Sequence, residues 1–168
     1  MFKQELIKPM KRLFLSLFIL FSITALPAFA ESEDLIVNSD NQDLNYKDKT
    51  LHFSGKVTVK QGNIFIEADE LFVETTKEGN SEKLIAKGKP AIFRQKAEND
   101  QDISSQATEI VYFVEKQILK LNGKAVFTQG GSQVTSDTIE FDLQAQRVKA
   151  EGDKAQDGRV TTRLKTKQ

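Results

Sequence analysis

Cysteine and tryptophan are absent from this chain of 168 residues, and histidine occurs once. The lack of cysteine excludes disulfide bonds, thiolate metal sites and cysteine nucleophiles. Beyond residue 30 there is a single proline, Pro90, and no segment has the apolar spacing of an amphipathic helix. The chain therefore shows none of the usual features of disulfide-stabilised, thiolate-metal or helical proteins.

An excess of positive charge is also missing. Lysine plus arginine and aspartate plus glutamate number 24 each, and residues 31–168 carry 20 basic against 23 acidic side chains. Because nucleic-acid binding depends on basic side chains that neutralise phosphates, no nucleic-acid partner is expected. The sequence also has no metal-ligand cluster and no phosphate-binding glycine loop, so no cofactor is expected.

The longest hydrophobic run lies within the first thirty residues, from Leu13 to Leu26. It follows Lys11-Arg12 and precedes Pro27-Ala28-Phe29-Ala30, an order that is typical of a secretory signal cleaved after Ala30. A helix of this length spans about 21 Å, too little for a hydrocarbon core of about 30 Å. We therefore expect an exported protein with a folded domain over 31–164 and a polar tail over 165–168.

Apolar and polar side chains alternate along most of the remaining chain, for example over 51–59, 110–114 and 139–143. A period of two residues indicates strands with one buried face. Glycines interrupt the pattern at positions typical of turns or bulges, and Pro90 is expected at a sheet edge or a bulge. The sequence predicts an all-β, antiparallel fold with many short strands.

The chain also repeats itself. Residues 51–71 align with 119–139 at a constant offset of 68 residues, and a weaker third copy begins at Gly88, with six extra residues placed between Lys96 and Asp102. Stacked units of this kind bury a continuous apolar strip. We therefore expect a layered jelly-roll or solenoid-like sheet with two open ends and short corners at Ala68-Asp69, Ala107-Thr108 and Ser136-Asp137.

Catalytic groups are scarce. His52 has no recognisable serine or aspartate partner and is interpreted as an ordinary surface residue. Glu67 and Asp69 lie two residues apart and would share one strand face, although solvated carboxylates or a turn-capping aspartate explain them more simply. A carbohydrate-active enzyme that uses these two carboxylates is the weakest hypothesis, and no enzyme is expected.

Large apolar residues on the inward side of the alternation form the candidate site. They suit either an ordinary packed core or a groove that receives lipid chains. Their outward counterparts Phe65, Phe72, Val111 and Phe113 suggest surfaces that meet another chain. The candidate lipid-binding residues are Leu35, Val37, Phe53, Val57, Val59, Ile64, Ile66, Leu71, Val73, Phe93, Ile110, Tyr112, Leu121, Phe127, Ile139 and Phe141.

Several segments, in their order and spacing behind the signal, resemble one family. They are Leu35-Ile36-Val37-Asn38-Ser39-Asp40, the segment 53–62, Ile66-x-Ala68-Asp69, Gly88-Lys89-Pro90-Ala91-x-Phe93 and 158–162. The chain resembles the OstA-like domain of periplasmic lipopolysaccharide transport proteins, over essentially all of 34–164.

The resemblance implies a twisted, V-shaped antiparallel β-jelly-roll with open edge strands at both ends, whose interior receives the acyl chains of lipopolysaccharide. It also implies the periplasm as the location of the protein, and head-to-tail homo-oligomers that bridge the inner and outer membranes. An LptC-like inner-membrane partner would meet the N-terminal edge, and an LptD-like outer-membrane partner the C-terminal edge. Leu35 and Val37 would lie at the N-terminal mouth of the groove.

Two alternatives stay open at this point. An exported structural module would use its edge strands to recruit partners and fill its interior with its own side chains. The inward face of the strand around Phe93 is also open. Counted from the preceding glycine, Phe93 lies one residue further along than Val59 and Phe127 do in their own repeats. Either Ala91 and Phe93 or Pro90 and Ile92 face inward.

Overall fold

The computed structural model describes residues 34–75, 81–97, 101–153 and 158–166, so the predicted signal peptide and its cleavage site at Ala30 lie outside it. These residues contain ten strands and no helix, which confirms the all-β prediction. The strands are β1 (Ile36–Asn38), β2 (Asn41–Asn45), β3 (Thr50–Gln61), β4 (Ile64–Thr75), β5 (Ser81–Gln95), β6 (Ile103–Phe113), β7 (Ile118–Gln129), β8 (Ser132–Asp142), β9 (Arg147–Glu151) and β10 (Thr161–Arg163).

The ten strands form one antiparallel sheet in which β3 to β8 pair in chain order. These six strands are 11 to 15 residues long. The prediction of many short strands is therefore wrong. Gly55, Gly88 and Gly123 lie inside continuous strands, at bulges that bend a strand without ending its ladder, whereas Gly62 and Gly130 lie in the predicted turns.

The bulges lie at one level in all five pairings of the long strands. The register shifts between Ser54 and Val57, and the same break recurs at 67/70, 87/91, 106/109 and 122/125. Gly55 has a φ of 80°, and a Cβ atom there would lie 2.7 Å from the Asp40 carboxylate, so only glycine fits. Together these bulges form a corner along which the sheet folds back on itself, at the predicted short corners.

The corner divides the sheet into two layers. Layer 1 contains β2, β9 and the parts of the long strands at 50–54, 70–75, 81–87, 109–113, 118–122 and 138–142. Layer 2 contains β1, β10 and the parts at 57–61, 64–67, 91–95, 103–106, 125–129 and 132–136. The two inner faces enclose one hydrophobic core.

Both ends of the sheet are open edges of the same design. At one end the long strand β3 pairs with the short strands β1 and β2, one in each layer. At the other end β8 pairs with β10 and β9 in the same arrangement. Among the described residues, each end therefore presents strand edges in both layers that pair with no other strand, where a further strand could add.

Candidate functional site

The candidate lipid-binding residues lie on the inner faces of the two layers. Fourteen of the sixteen are buried, and Leu71, Phe93, Ile110, Leu121 and Phe141 have no exposed surface. Leu35 and Val37 are half-buried at or next to the edge strand β1, where they pack against the core. All sixteen side chains therefore lie in or against the core, and their binding of lipid stays a prediction.

Strand register places these residues in rows that cross the sheet. One row of layer 2 runs from the edge strand β1 to the edge strand β10, through every long strand, and its directly opposed residues are buried or half-buried except for Thr162, which is exposed. Its members are Val37, Val59, Ile66, Phe93, Ser105, Phe127, Val134 and Thr162. An apolar surface, interrupted by Ser105, therefore extends from Val37 in β1 to Val134 in β8.

The two layers contact each other directly. The ring of Phe93 in layer 2 lies 5.8 Å from that of Tyr112 in layer 1, measured between centroids. Phe127 and Phe141 form a second contact across the layers, at 4.7 Å with tilted planes. Both geometries are favourable for aromatic pairs. The interior is closed in this conformation, and its middle is filled by the protein's own side chains.

The inner face contains more residues than the sequence pattern identified. Ala91 and Phe93 face inward, whereas Pro90 is exposed, because the β5 bulge spans 88–90 and contains one residue more than its counterparts in β3 and β7. Leu119 and Leu143 belong to the alternating segments but were left out of the candidate set, and the small residues carry little pattern signal. The additional buried apolar residues are Leu84, Ala86, Ala91, Ile103, Ala107, Leu119, Ala125 and Leu143.

Few polar side chains lie in the interior. Ser105 and Ser136 are 2% and 6% exposed, and their hydroxyl groups have no hydrogen-bond partner among the described residues. Tyr112 is 4% exposed, and burial raises the pKa of its phenol above the usual value. The inner face is thus apolar except for three hydroxyl groups and the side chains at its margins.

The outward aromatic residues are covered by side chains of the same chain. The Arg94 guanidinium lies 5.8 Å from the centre of the Phe65 ring, and Lys87 lies 5.5 Å from that of Phe72. His52 stacks on Phe72 at 4.3 Å, and its buried Nε2 has no hydrogen-bond partner. His52 is therefore a half-buried packing residue rather than the ordinary surface histidine that we predicted.

The two carboxylates of the enzyme hypothesis do not form a site. Glu67 accepts a hydrogen bond from Arg94 at 2.7 Å, in a partly exposed ion pair on the outer face of layer 2. Asp69 lies at the corner, in a surface recess of about 410 Å³ that Lys87 also lines. Within the described ranges, no three carboxylate or imidazole side chains are close enough to hold a metal ion.

The sequence matches a family described as the LptA/(LptD N-terminal domain) LPS transport proteins over residues 36–147, about two thirds of the chain. The chain belongs to this family. The LptA/LptD N-terminal domain match covers β1 to β8 and thus nearly the whole folded sheet.

Two relatives in this family are lipopolysaccharide export system proteins LptA. The chain is 31% identical to that of Haemophilus influenzae over 88 residues, which cover 52% of this chain and 50% of the relative. It is 33% identical to that of Escherichia coli K12 over 87 residues, covering 52% and 46%. The matched segment thus spans about half the length of each relative.

A solved structure confirms the architecture of the family. LptH, the LptA homologue and periplasmic component of the lipopolysaccharide transport device of Pseudomonas aeruginosa, superposes with a TM-score of 0.74. The match covers 80% of this chain and 96% of LptH, at 24% sequence identity. The predicted OstA-like jelly-roll with open edges is therefore correct. In the part of the chain that the structure describes, no helix has the length and apolar character needed to span a membrane.

Proposed function

We propose that this protein is a periplasmic transport protein that binds lipopolysaccharide and passes it between the inner and outer membranes. The observation that carries the proposal is the inward row of layer 2, whose apolar surface extends from β1 at one open end to β8 next to the other. Membership in a family of lipopolysaccharide transport proteins supports it. The acyl chains would lie between the two layers.

The physical basis is the cost of exposing acyl chains to water. Each methylene costs about 0.8 kcal/mol, so a chain of a dozen carbons costs roughly 10 kcal/mol in water. An apolar path removes that cost at every point along the way without any chemical step. Because the two layers contact each other through Phe93–Tyr112 and Phe127–Phe141, the layers must separate to admit the lipid, and lipid contacts replace these ring contacts.

The location follows from the predicted signal. Export through cleavage after Ala30 would deliver the folded domain over 31–164, with its tail at 165–168, into the periplasm. The absence of cysteine means that the protein needs no disulfide formation there. We infer no catalytic role, because the candidate carboxylate Glu67 is engaged by Arg94 and the transport step requires no bond to form or break.

The edge strands are the proposed docking surfaces. A partner strand would extend the sheet beside β1 and β2 at one end, or beside β9 and β10 at the other, by main-chain hydrogen bonds. An LptC-like partner is proposed at the first end and an LptD-like partner at the second. The two ends share one arrangement but are formed by different strands. A second copy can therefore add head to tail, and such a contact need not close into a ring.

Photo-crosslinking with lipopolysaccharide tests the proposal. A photoreactive phenylalanine analogue replaces Phe93 or Phe127, which face inward, and Phe65, which faces outward on the same layer, serves as the matched control. We expect lipid adducts at the two inner positions and none at Phe65. Folded protein without inner adducts, or with equal adducts at Phe65, would favour the alternative of a structural module that recruits partners through its edges.

A further inference from the structure

Layer 2 carries polar side chains on its inner face at a regular spacing. Gln61, Gln95 and Gln129 lie 34 residues apart in the sequence. They occupy equivalent positions near the ends of β3, β5 and β7, in one row with Ile64, Ile103 and Ser132. The row lies two residues beyond the inward row that contains Phe93 and Phe127, so these glutamine side chains share its direction.

This row borders the mouth, which we define as the gap between the hairpin ends of the two layers, opposite the corner. The Nε2 of Gln129 donates a 2.8 Å hydrogen bond to the Oε1 of Gln146, which lies in the turn between β8 and β9 of layer 1. Gln146 in turn donates to the Leu143 carbonyl oxygen at 2.6 Å. Amide groups of both layers therefore meet across the mouth in the closed conformation.

Ser105 lies one row deeper, where its hydroxyl is surrounded by apolar neighbours. In the register it stands directly between Phe93 and Phe127, it is 2% exposed, and its Oγ has no hydrogen-bond partner. A buried hydroxyl without a partner is unfavourable and is uncommon in native structures. A lone water would not satisfy it well, since a buried water needs two to four polar partners.

The shape of the interior does not explain this serine. Next to the corner, where the layers are closest, the inward row of layer 2 consists mainly of small residues, which accounts for Ser136 beside Ala125. The row of Ser105 is instead made of large residues such as Ile66, Phe93 and Phe127. Ser105 is the one polar member of this row that is buried.

We propose that Ser105, Gln95 and Gln129 form a polar strip that hydrogen-bonds the amide, ester or hydroxyl groups near the head of a bound acyl chain. Neighbouring strands are about 4.8 Å apart, so the two glutamines flank Ile103 at about 10 Å separation and Ser105 lies within about 8 Å of each. Acyl chains then lie deep between the layers, and their polar attachment lies at the mouth. The inference rests on the proposed lipid function and adds selectivity for acyl chains that carry polar groups.

The experiment compares two probes that differ by one hydroxyl group, β-hydroxymyristate and myristate. Binding to the purified protein is measured by calorimetry for the wild type and for Ser105→Ala. We expect the wild type to bind β-hydroxymyristate about fivefold to tenfold more tightly, which corresponds to one net hydrogen bond. Ser105→Ala is expected to lose this preference and to keep its affinity for myristate. Ser104→Ala is the matched control, because Ser104 is the exposed neighbour on the same strand.

A second pair of variants tests the glutamines. Gln129→Leu is expected to reduce the preference for the hydroxylated probe, whereas Gln106→Leu, at an exposed outward position, is expected to leave it unchanged. Wild-type protein that binds both probes equally, or Ser105→Ala that keeps the preference, would overturn the polar strip alone. Failure of both probes to bind, together with no lipid adduct at Phe93, would overturn the strip and the proposed function together.

Discussion

Layer 1 and layer 2 are formed by opposite halves of the same six long strands, yet their inner faces differ. Layer 1 presents large apolar side chains in nearly every inward position, including Leu71, Leu121 and Phe141. Layer 2 has small residues beside the corner, a buried serine among its large residues and glutamines at its mouth. The difference indicates that layer 1 supplies most of the packing, while layer 2 carries the groups capable of specific recognition.

Under the proposed function, two kinds of contact between the layers would have to give way to a lipid. Contacts between the layers are made by dispersion and ring packing, which have no strict directional requirement, so acyl chains can replace them with little net cost. Hydrogen bonds such as that of Gln129 to Gln146 are directional and need a partner of matching chemistry. If the layers separate for a lipid as proposed, the interior would tolerate chains of different length and the mouth would select among their polar groups.

The largest expected effect comes from removing a ring that layer 1 contributes to the contact between the layers. Phe141→Ala deletes a fully buried side chain and its contact with Phe127, so it is expected to lower the free energy of unfolding by about 3–5 kcal/mol. Urea denaturation followed by circular dichroism measures this change.

Phe113→Ala is the matched control for that substitution. Phe113 belongs to the same layer but faces outward, half-buried, with the ammonium groups of Lys116 and Lys120 5.7 and 5.8 Å from its ring centre. Loss of this ring is expected to cost about 1 kcal/mol. Equal costs for the two variants would mean that the interior of layer 1 does not dominate stability.

Much of this architecture was predictable from the period of two residues. The alternation correctly placed Ile110, Tyr112 and Phe141 inward, because one-sided burial requires large apolar residues at every second position. Ser105 could not be found in this way, since a serine between polar neighbours looks like an outward position. Whether the Phe93 side chain faces inward depends on the length of one bulge, which the local sequence does not determine. The contact between the layers depends on tertiary packing, so it could not be predicted either.

A moderate effect is expected at the corner that separates the two layers. Gly123 has a φ of 77°, and a Cβ atom there would lie 3.0 Å from the Oγ1 of Thr108. Gly123→Ala is therefore expected to cost about 1–2 kcal/mol of unfolding free energy. Lys124 also has a positive φ, of 51°, and an exposed side chain. Lys124→Gly is thus expected to change the free energy of unfolding by no more than about 0.5 kcal/mol. If Gly123→Ala leaves the free energy of unfolding unchanged as well, the corner adapts without strain.

The smallest effect concerns the single phenol in the interior of layer 1. Burial raises the pKa of Tyr112, so the unfolded chain loses its phenolic proton at lower pH than the folded protein does. The stability from this group is complete below the unfolded pKa of about 10 and decreases as the pH rises beyond it. Thermal unfolding of wild-type protein and Tyr112→Phe, measured from neutral to alkaline pH, is expected to show a smaller alkaline loss in the variant. Tyr46, the other tyrosine, is 80% exposed, so Tyr46→Phe should keep the wild-type loss of thermal stability at alkaline pH. A smaller alkaline loss in Tyr46→Phe than in Tyr112→Phe would contradict this assignment.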